Sequence, residues 1–453
     1  MNFKEILQSQ RLFFNGQHTK PLETRKTHLK TLRKAITDHQ PLLYEAIAKD
    51  FGKSVMDTYT TEIAFVLSEI DYFLKNLRKL ARPKRVGTNL VNLPGRSQIH
   101  KEPLGCTLII GAWNYPYQLS LSPLVAAIAA GNTAIVKPSE VAPHTMEAIA
   151  NLLNQHFPPN LIFCAQGGVE TTTELLKLRF DKLFFTGSPK IGTLIYEAAA
   201  KHLTPVTLEL GGKSPAIVSR HADLDKAAKR IVWGKFLNAG QTCVAPDYLL
   251  VDQSIQKPLL ERLKAYITAF DYQKDSPHYT KIINEKHFDR LSALIPTDKI
   301  YHGGESNRNH RYIAPTLLAP ISWDDAIMQE EIFGPLLPVL SYDSFSDALE
   351  QIRQHEKPLA AYLFSHNAEE QQRFTQEISF GGGCINDVIM HLSNPNLPFG
   401  GVGQSGIGHY HGAFGFEAFS HQKALLKKSL WGEPNLKYPP YSEKKFAWIK
   451  RFL

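Results

Sequence analysis

The chain has 453 residues, 43% of them hydrophobic and 21% charged, which is enough for a sizeable core and two or three packed domains and excludes a disulfide miniprotein, a collagen and a disordered tail. Four cysteines, Cys106, Cys164, Cys243 and Cys384, are too few for a disulfide framework at this length; they point to a reducing compartment in which a free thiol is available for chemistry. Lys and Arg number 51 against 43 Asp and Glu, and the formal net charge of +8 suits nucleotides, nucleic acid or anionic lipid without choosing among them.

The N-terminus is charged from Lys4 and shows no apolar signal-peptide core. The most apolar stretch, 119–136, is interrupted by Ser120, Ser122, Pro123, Gly131 and Asn132, so a soluble, cytoplasmic protein is expected. Residues 1 to about 80 read as helices, because apolar residues recur at three- and four-residue spacing, as at Phe65, Ile70, Phe73 and Leu74. Six basic residues from Lys75 to Arg85, with Pro83, Gly87, Pro94 and Gly95, read as a solvated helix end entering a polar connector. A nucleic-acid site would add stacking aromatics or a recognisable module, and neither occurs.

From residue 104 short apolar runs alternate with helical segments. Strands are expected at 104–110, 133–136, 161–164, 182–185 and 206–210, with helices from about 119, 143, 170 and 189 between them. Such alternation indicates a parallel sheet with right-handed crossovers, a common frame for a nucleotide. A second α/β region follows Gly211 and runs to about 395. After Gln422 basic and aromatic residues mix, among them Trp431, Tyr441, Lys444, Lys445, Phe446, Trp448, Lys450, Arg451 and Phe452; packing on this chain or a partner subunit is expected, with an anionic membrane surface as the alternative.

Two sequences imitate nucleotide loops. Gly401-Val-Gly403-Gln-Ser-Gly406 has the GxGxxG spacing but follows no strand, and Gly212-Lys213-Ser214 lacks the leading glycine of a P-loop, since Thr207 stands there. His409-Tyr-His411, without a carboxylate cluster or a CxxC, reads as structural rather than metal-binding. The better phosphate site is Phe185-Thr-Gly187-Ser188-Pro189, where an apolar strand runs into a turn whose serine can cap the next helix. Lys137-Pro-Ser-Glu140 follows another strand end, where its ammonium and carboxylate could hold ribose hydroxyls.

Cys243 lies in Gly240-Gln-Thr-Cys243, among small and polar neighbours that leave a thiol reachable, whereas Cys106 and Cys164 sit in apolar strands. Glu209 interrupts the apolar run 206–210. Burial there would raise its pKa toward that of a general base, and a surface-facing strand position remains the equal alternative. Asn114 follows the first strand and could donate to an oxyanion.

Seven motifs in order make the chain resemble the NAD(P)-dependent aldehyde dehydrogenase superfamily, most closely its class 3 branch: Ala-Trp113-Asn114-Tyr-Pro, Lys137-Pro-Ser-Glu140, Phe-Thr-Gly187-Ser188, Leu-Glu209-Leu-Gly-Gly-Lys, Gly-Gln-Thr-Cys243, Glu331-Ile-Phe333-Gly-Pro and Pro398-Phe399-Gly-Gly. The resemblance implies an α/β fold with a Rossmann-like cofactor domain, an α/β catalytic domain and a small β oligomerisation arm. The expected divisions are N-terminal helices at 1–84, the arm at 85–100, the dinucleotide domain at 101–210, the catalytic domain at 211–394, and a return to the cofactor domain with an oligomerisation strand and tail at 395–453.

It further implies that Cys243 attacks an aldehyde, that Asn114 and the Cys243 N–H hold the oxyanion, and that Glu209 activates water to hydrolyse the thioester. Lys137 and Glu140 match adenosine-ribose contacts, Gly187 and Ser188 the pyrophosphate turn, and Glu331 the nicotinamide ribose, with Trp113, Phe333 and Phe399 near the nicotinamide. NAD is the expected cofactor and NADP an admissible one. A small-molecule aldehyde, medium- or long-chain aliphatic or aromatic, is the expected substrate, and a homodimer the expected assembly. The competing readings are a CoA-acylating relative, which commonly lacks the glutamate, and a non-catalytic relative that keeps the fold.

Overall fold

The alternation that begins near residue 104 builds a six-stranded sheet in the computed structural model, which describes residues 2–433 and 435–452; Met1, Pro434, Leu453 and the Phe452 side chain lie outside the described residues. The strands lie in the order Gly406–Ile407, Val206–Glu209, Lys182–Thr186, Cys106–Ile110, Thr133–Lys137, Ile162–Cys164. All are parallel except Gly406–Ile407, which runs antiparallel to Val206–Glu209. Their near-continuous apolar sequences suit strands covered on both faces. Chain order reverses between Cys106–Ile110 and Lys182–Thr186, the switch point beyond whose carboxyl ends such a sheet leaves a crevice.

The helix expected from about 119 starts at Pro116 and runs to Ala130, because proline fits a first helical turn, where its missing N–H costs nothing. Every one of its residues is buried. A helix apolar on all sides belongs in a core, and this one packs against Ala64–Ala81 of the N-terminal region.

The region after Gly211 forms a seven-stranded sheet in the order Ile300–His302, Thr316–Leu318, Leu336–Tyr342, Tyr248–Asp252, Pro215–Val218, Ala360–Phe364, Gly382–Ile385, parallel apart from its first pair. One apolar cluster reaches from Phe73 through Tyr117 to Leu250 and Tyr362, so the two sheets share a core. A separate antiparallel ribbon joins Lys84–Val86, Gly95–Pro103 and Ser420–Lys428; its middle strand runs three residues past the expected limit at 100.

Residues Glu443–Phe452 form a terminal helix. The tail does not bury its aromatics on its own chain: Trp431 is 81% and Tyr441 75% exposed. Lys444, Lys445, Lys450 and Arg451 crowd the same short helix, and laying it on the body would strip water from those cations. Among the described residues no helix is long and apolar enough to cross a membrane.

Candidate active site

A continuous cavity of about 1910 Å³ opens at the carboxyl ends of the six-stranded sheet, and every site residue singled out above lines it. At one end the strand Lys182–Thr186 runs into Gly187, where a Cβ would stand 2.5 Å from the Phe185 ring. The Ser188 Oγ then accepts the Ile191 N–H at 3.5 Å and caps the helix Pro189–Ala200, whose first turn lines the cavity. The buried Thr186 hydroxyl has no hydrogen-bond partner.

Lys137, the buried last residue of its strand, donates to the Glu140 carboxylate at 2.5 Å. Farther in, Glu331 packs against Gly211, where a Cβ would come 2.0 Å from its Oε2. Burial and then Asp247 push the Glu331 carboxyl up to about 8. Phe333, at φ 51°, sets its ring edge-on to Trp113 with centroids 5.3 Å apart. A capped helix N-terminus, an orphaned hydroxyl and two glycines without room for side chains fit an elongated dinucleotide.

At the other end the helix Leu224–Phe236 is followed by three left-handed residues, Asn238 (φ 53°), Ala239 (φ 52°) and Gly240 (φ 74°), which turn the chain into Gln241-Thr-Cys243. Only glycine fits position 240, since a Cβ would lie 2.2 Å from the Gly334 carbonyl. The left-handed asparagine and alanine store strain that neighbouring bonds must hold. Asn238 Nδ2 donates to the carbonyls of Asn114 (2.9 Å) and Gln241 (3.2 Å). Gln241 Nε2 donates to the Asn238 carbonyl at 3.0 Å and its Oε1 accepts the Ile283 N–H at 2.9 Å. Asn114 Nδ2 gives one hydrogen to the Gln241 carbonyl at 3.1 Å, which leaves the other for a ligand. Tyr115 and Thr242 join hydroxyls at 2.6 Å.

Behind this loop the Lys53 ammonium donates to Glu62 Oε1 at 2.9 Å, both side chains fully buried, and stands 3.5 Å from the Asn114 carbonyl. Glu62 Oε2 accepts the N–H groups of Tyr117 (2.8 Å) and Gln118 (3.4 Å), the first turn of Pro116–Ala130. Sequence reasoning missed Lys53, Glu62, Asn238 and Gln241 as parts of the site. The glutamine lay within a quoted motif; the other three had no local signal.

Burial first, then Glu331 and Glu209, push the thiol of the part-buried Cys243 up to about 12. The Glu209 side chain is buried, not surface-facing; neither oxygen has a partner, and burial lifts its pKa well above the carboxylate range. Lys235 is buried too, and burial pushes it down to about 8. Both nucleotide-loop imitators have other employment. Lys213 binds Asp247 at 2.6 Å, and Gly403–Ser405 is a 3-10 turn leading into the edge strand.

The chain matches the family described as "Aldehyde dehydrogenase family" over residues 2–425. It is 48% identical over 451 residues to aldehyde dehydrogenase family 3 member A2 of Rattus norvegicus, covering 99% of this chain and 93% of the relative. It is 47% identical to the dimeric NADP-preferring aldehyde dehydrogenase of the same organism, over 94% and 95%. The solved substrate-bound state of Staphylococcus aureus AldH matches with a TM-score of 0.98 at 47% identity, covering 100% of both chains. These matches give the CoA-acylating reading no support. The chain belongs to the aldehyde dehydrogenase family, in its class 3 branch, and is an NAD(P)-dependent oxidoreductase that converts aldehydes to carboxylic acids.

Proposed function

We propose that Cys243 is the nucleophile of this oxidation, Asn114 and the Cys243 N–H its oxyanion donors, and Glu209 its general base. Glu209 takes the thiol proton as sulfur attacks the aldehyde carbon, and the Asn114 amide holds the oxygen of the thiohemiacetal. The bound dinucleotide supplies the acceptor for the hydride that this adduct releases. Glu209 gives that proton up to solvent, then takes one from the water that hydrolyses the thioester and returns it to sulfur as the C–S bond breaks and the carboxylic acid leaves. The observation that carries this reading is a buried carboxylate with two unpartnered oxygens in the same cavity as a reachable thiol and an amide with a spare N–H.

Lys137 and Glu140 are the adenosine-ribose contacts in this reading, Gly187 and Ser188 the pyrophosphate turn and Glu331 the nicotinamide-ribose contact, with Trp113, Phe333 and Phe399 around the nicotinamide. Phe65, Trp233, Leu237, Ile389 and Met390 on the lining favour an aliphatic or aromatic aldehyde. The two sheets support the divisions at 210 and 394, and the ribbon supports an arm that begins near 84. The name of the dimeric relative supports a homodimer, and four free thiols support a cytoplasmic setting. The aromatic and basic tail suits a partner subunit or an anionic membrane surface.

NADH formation from hexanal and benzaldehyde, with and without CoA, tests the reaction. Turnover should need no CoA and vanish in Cys243→Ala, while Glu209→Gln should give a burst of NADH followed by slow turnover. A strict CoA demand, an active Cys243→Ala or a normal steady state in Glu209→Gln would sink the corresponding assignment.

A further inference from the structure

Tyr410 takes no part in the steps above, and the motif around it, 408–412, reads from the sequence as structural. Its ring sits edge-on to Phe184 (centroids 4.9 Å) and Phe399 (5.8 Å). Its backbone exchanges two hydrogen bonds with Phe399: the Tyr410 N–H donates at 2.8 Å, and its carbonyl accepts the Phe399 N–H at 3.1 Å. Just upstream, the strand Gly406–Ile407 pairs antiparallel with Val206–Glu209, Gly406 directly opposite Glu209.

The side chain is 1% exposed, lines the catalytic cavity, and its hydroxyl has no hydrogen-bond partner. Glu209 Oε1 and Oε2 share that condition. Glu209 and Cys243 line the same cavity. Buried polar atoms without partners are costly, and three of them facing one cavity describe the seat of a small molecule that bonds to all.

We propose that the Tyr410 hydroxyl and the Glu209 carboxylate together hold the water that hydrolyses the Cys243 thioester. This rests on the roles given to Glu209 and Cys243 above. Water oxygen bonds to the acyl carbon as one water proton passes to Glu209. The tyrosine oxygen accepts the other O–H, which aims a water lone pair at the carbon. The adduct then breaks its C–S bond, sulfur keeps the electron pair and recovers the proton from Glu209, and the carboxylic acid departs. Tyr410 keeps its own proton throughout. Burial and the Glu209 charge both hold its pKa well above the phenol range.

The test needs no dinucleotide. 4-Nitrophenyl hexanoate acylates Cys243 with release of nitrophenolate, and intact mass follows the lifetime of the hexanoyl adduct. Tyr410→Phe keeps the ring between its aromatic neighbours. It should acylate at the parental rate with an unchanged burst stoichiometry, while the adduct lives about tenfold longer, the loss of one hydrogen bond in the attack. An unchanged lifetime overturns the proposal. Slower nitrophenolate release with normal adduct loss places the phenol at the thiol and also overturns it, and equal slowing of both steps reveals a packing role and does the same. Glu209→Gln, run in parallel, separates the two claims: parental adduct loss there defeats the base assignment, whereas a slow Glu209→Gln beside an unaffected Tyr410→Phe defeats this one alone.

Discussion

Glu209 and Cys243 have raised pKa values first through loss of water, to which the Glu331 and Glu209 charges add at Cys243, and no cation offsets it among the causes acting on either. A base works in its deprotonated form, so raising its pKa moves the rise in rate to higher pH. Hydrolysis of the acyl-enzyme should therefore accelerate as pH rises beyond the ordinary carboxylate range, up to tenfold per unit while Glu209 is still mostly protonated. Stopped-flow mixing of preformed acyl-enzyme into buffers across that range measures the slope, and Glu209→Gln should flatten it. A flat profile in the parent protein would mean that another group handles the proton.

At the scale of elements, the buried Lys53–Glu62 pair ties three pieces together: the Asn114 carbonyl, the first turn of Pro116–Ala130, and the π-helical turn Tyr59–Ile63 that carries the glutamate. Burial already pushes the Glu62 carboxyl up against the pull of Lys53. Lys53→Met leaves that carboxylate buried without a counter-ion, a change that costs about 3–5 kcal/mol in comparable pairs. Urea unfolding should show that loss, and the burst rate with hexanal should fall because the Asn114 loop has lost a restraint. The double variant Lys53→Met/Glu62→Gln removes the stranded charge and should recover part of the stability. Parental unfolding of the single variant would show the pair to be idle.

At the scale of the whole molecule, the ribbon leaves apolar side chains uncovered by its own chain. Leu425 and Leu426 in Ser420–Lys428 are 48% and 45% exposed on a strand whose next-door residue pairs continue to Lys428. A sheet edge bearing exposed leucines gains by pairing with another copy. The parent protein should elute with twice the chain mass in light scattering, and Leu425→Glu/Leu426→Glu should halve it. An unchanged mass in that variant would place the dimer contact elsewhere.

The sequence alone determined what depends on neighbours in the chain. The strand-turn-helix around Gly187 and Ser188 was legible because a tight turn and a helix cap demand particular residue types at adjacent positions. The thiol in Gly-Gln-Thr-Cys243 and the glutamate breaking an apolar strand stood out for similar reasons. Tertiary structure alone decided which groups meet and which lose their water. Asn238 reaches Asn114 across 124 residues, Lys53 lies 61 residues before it, and Tyr410 and Glu209 come to line one cavity. Glu209 had an exposed alternative on sequence grounds, and the fold buries it as it buries Lys235. Register and burial are properties of the packed chain, and the protonation of Cys243, Glu209 and Lys235 follows from burial rather than from the residues beside them.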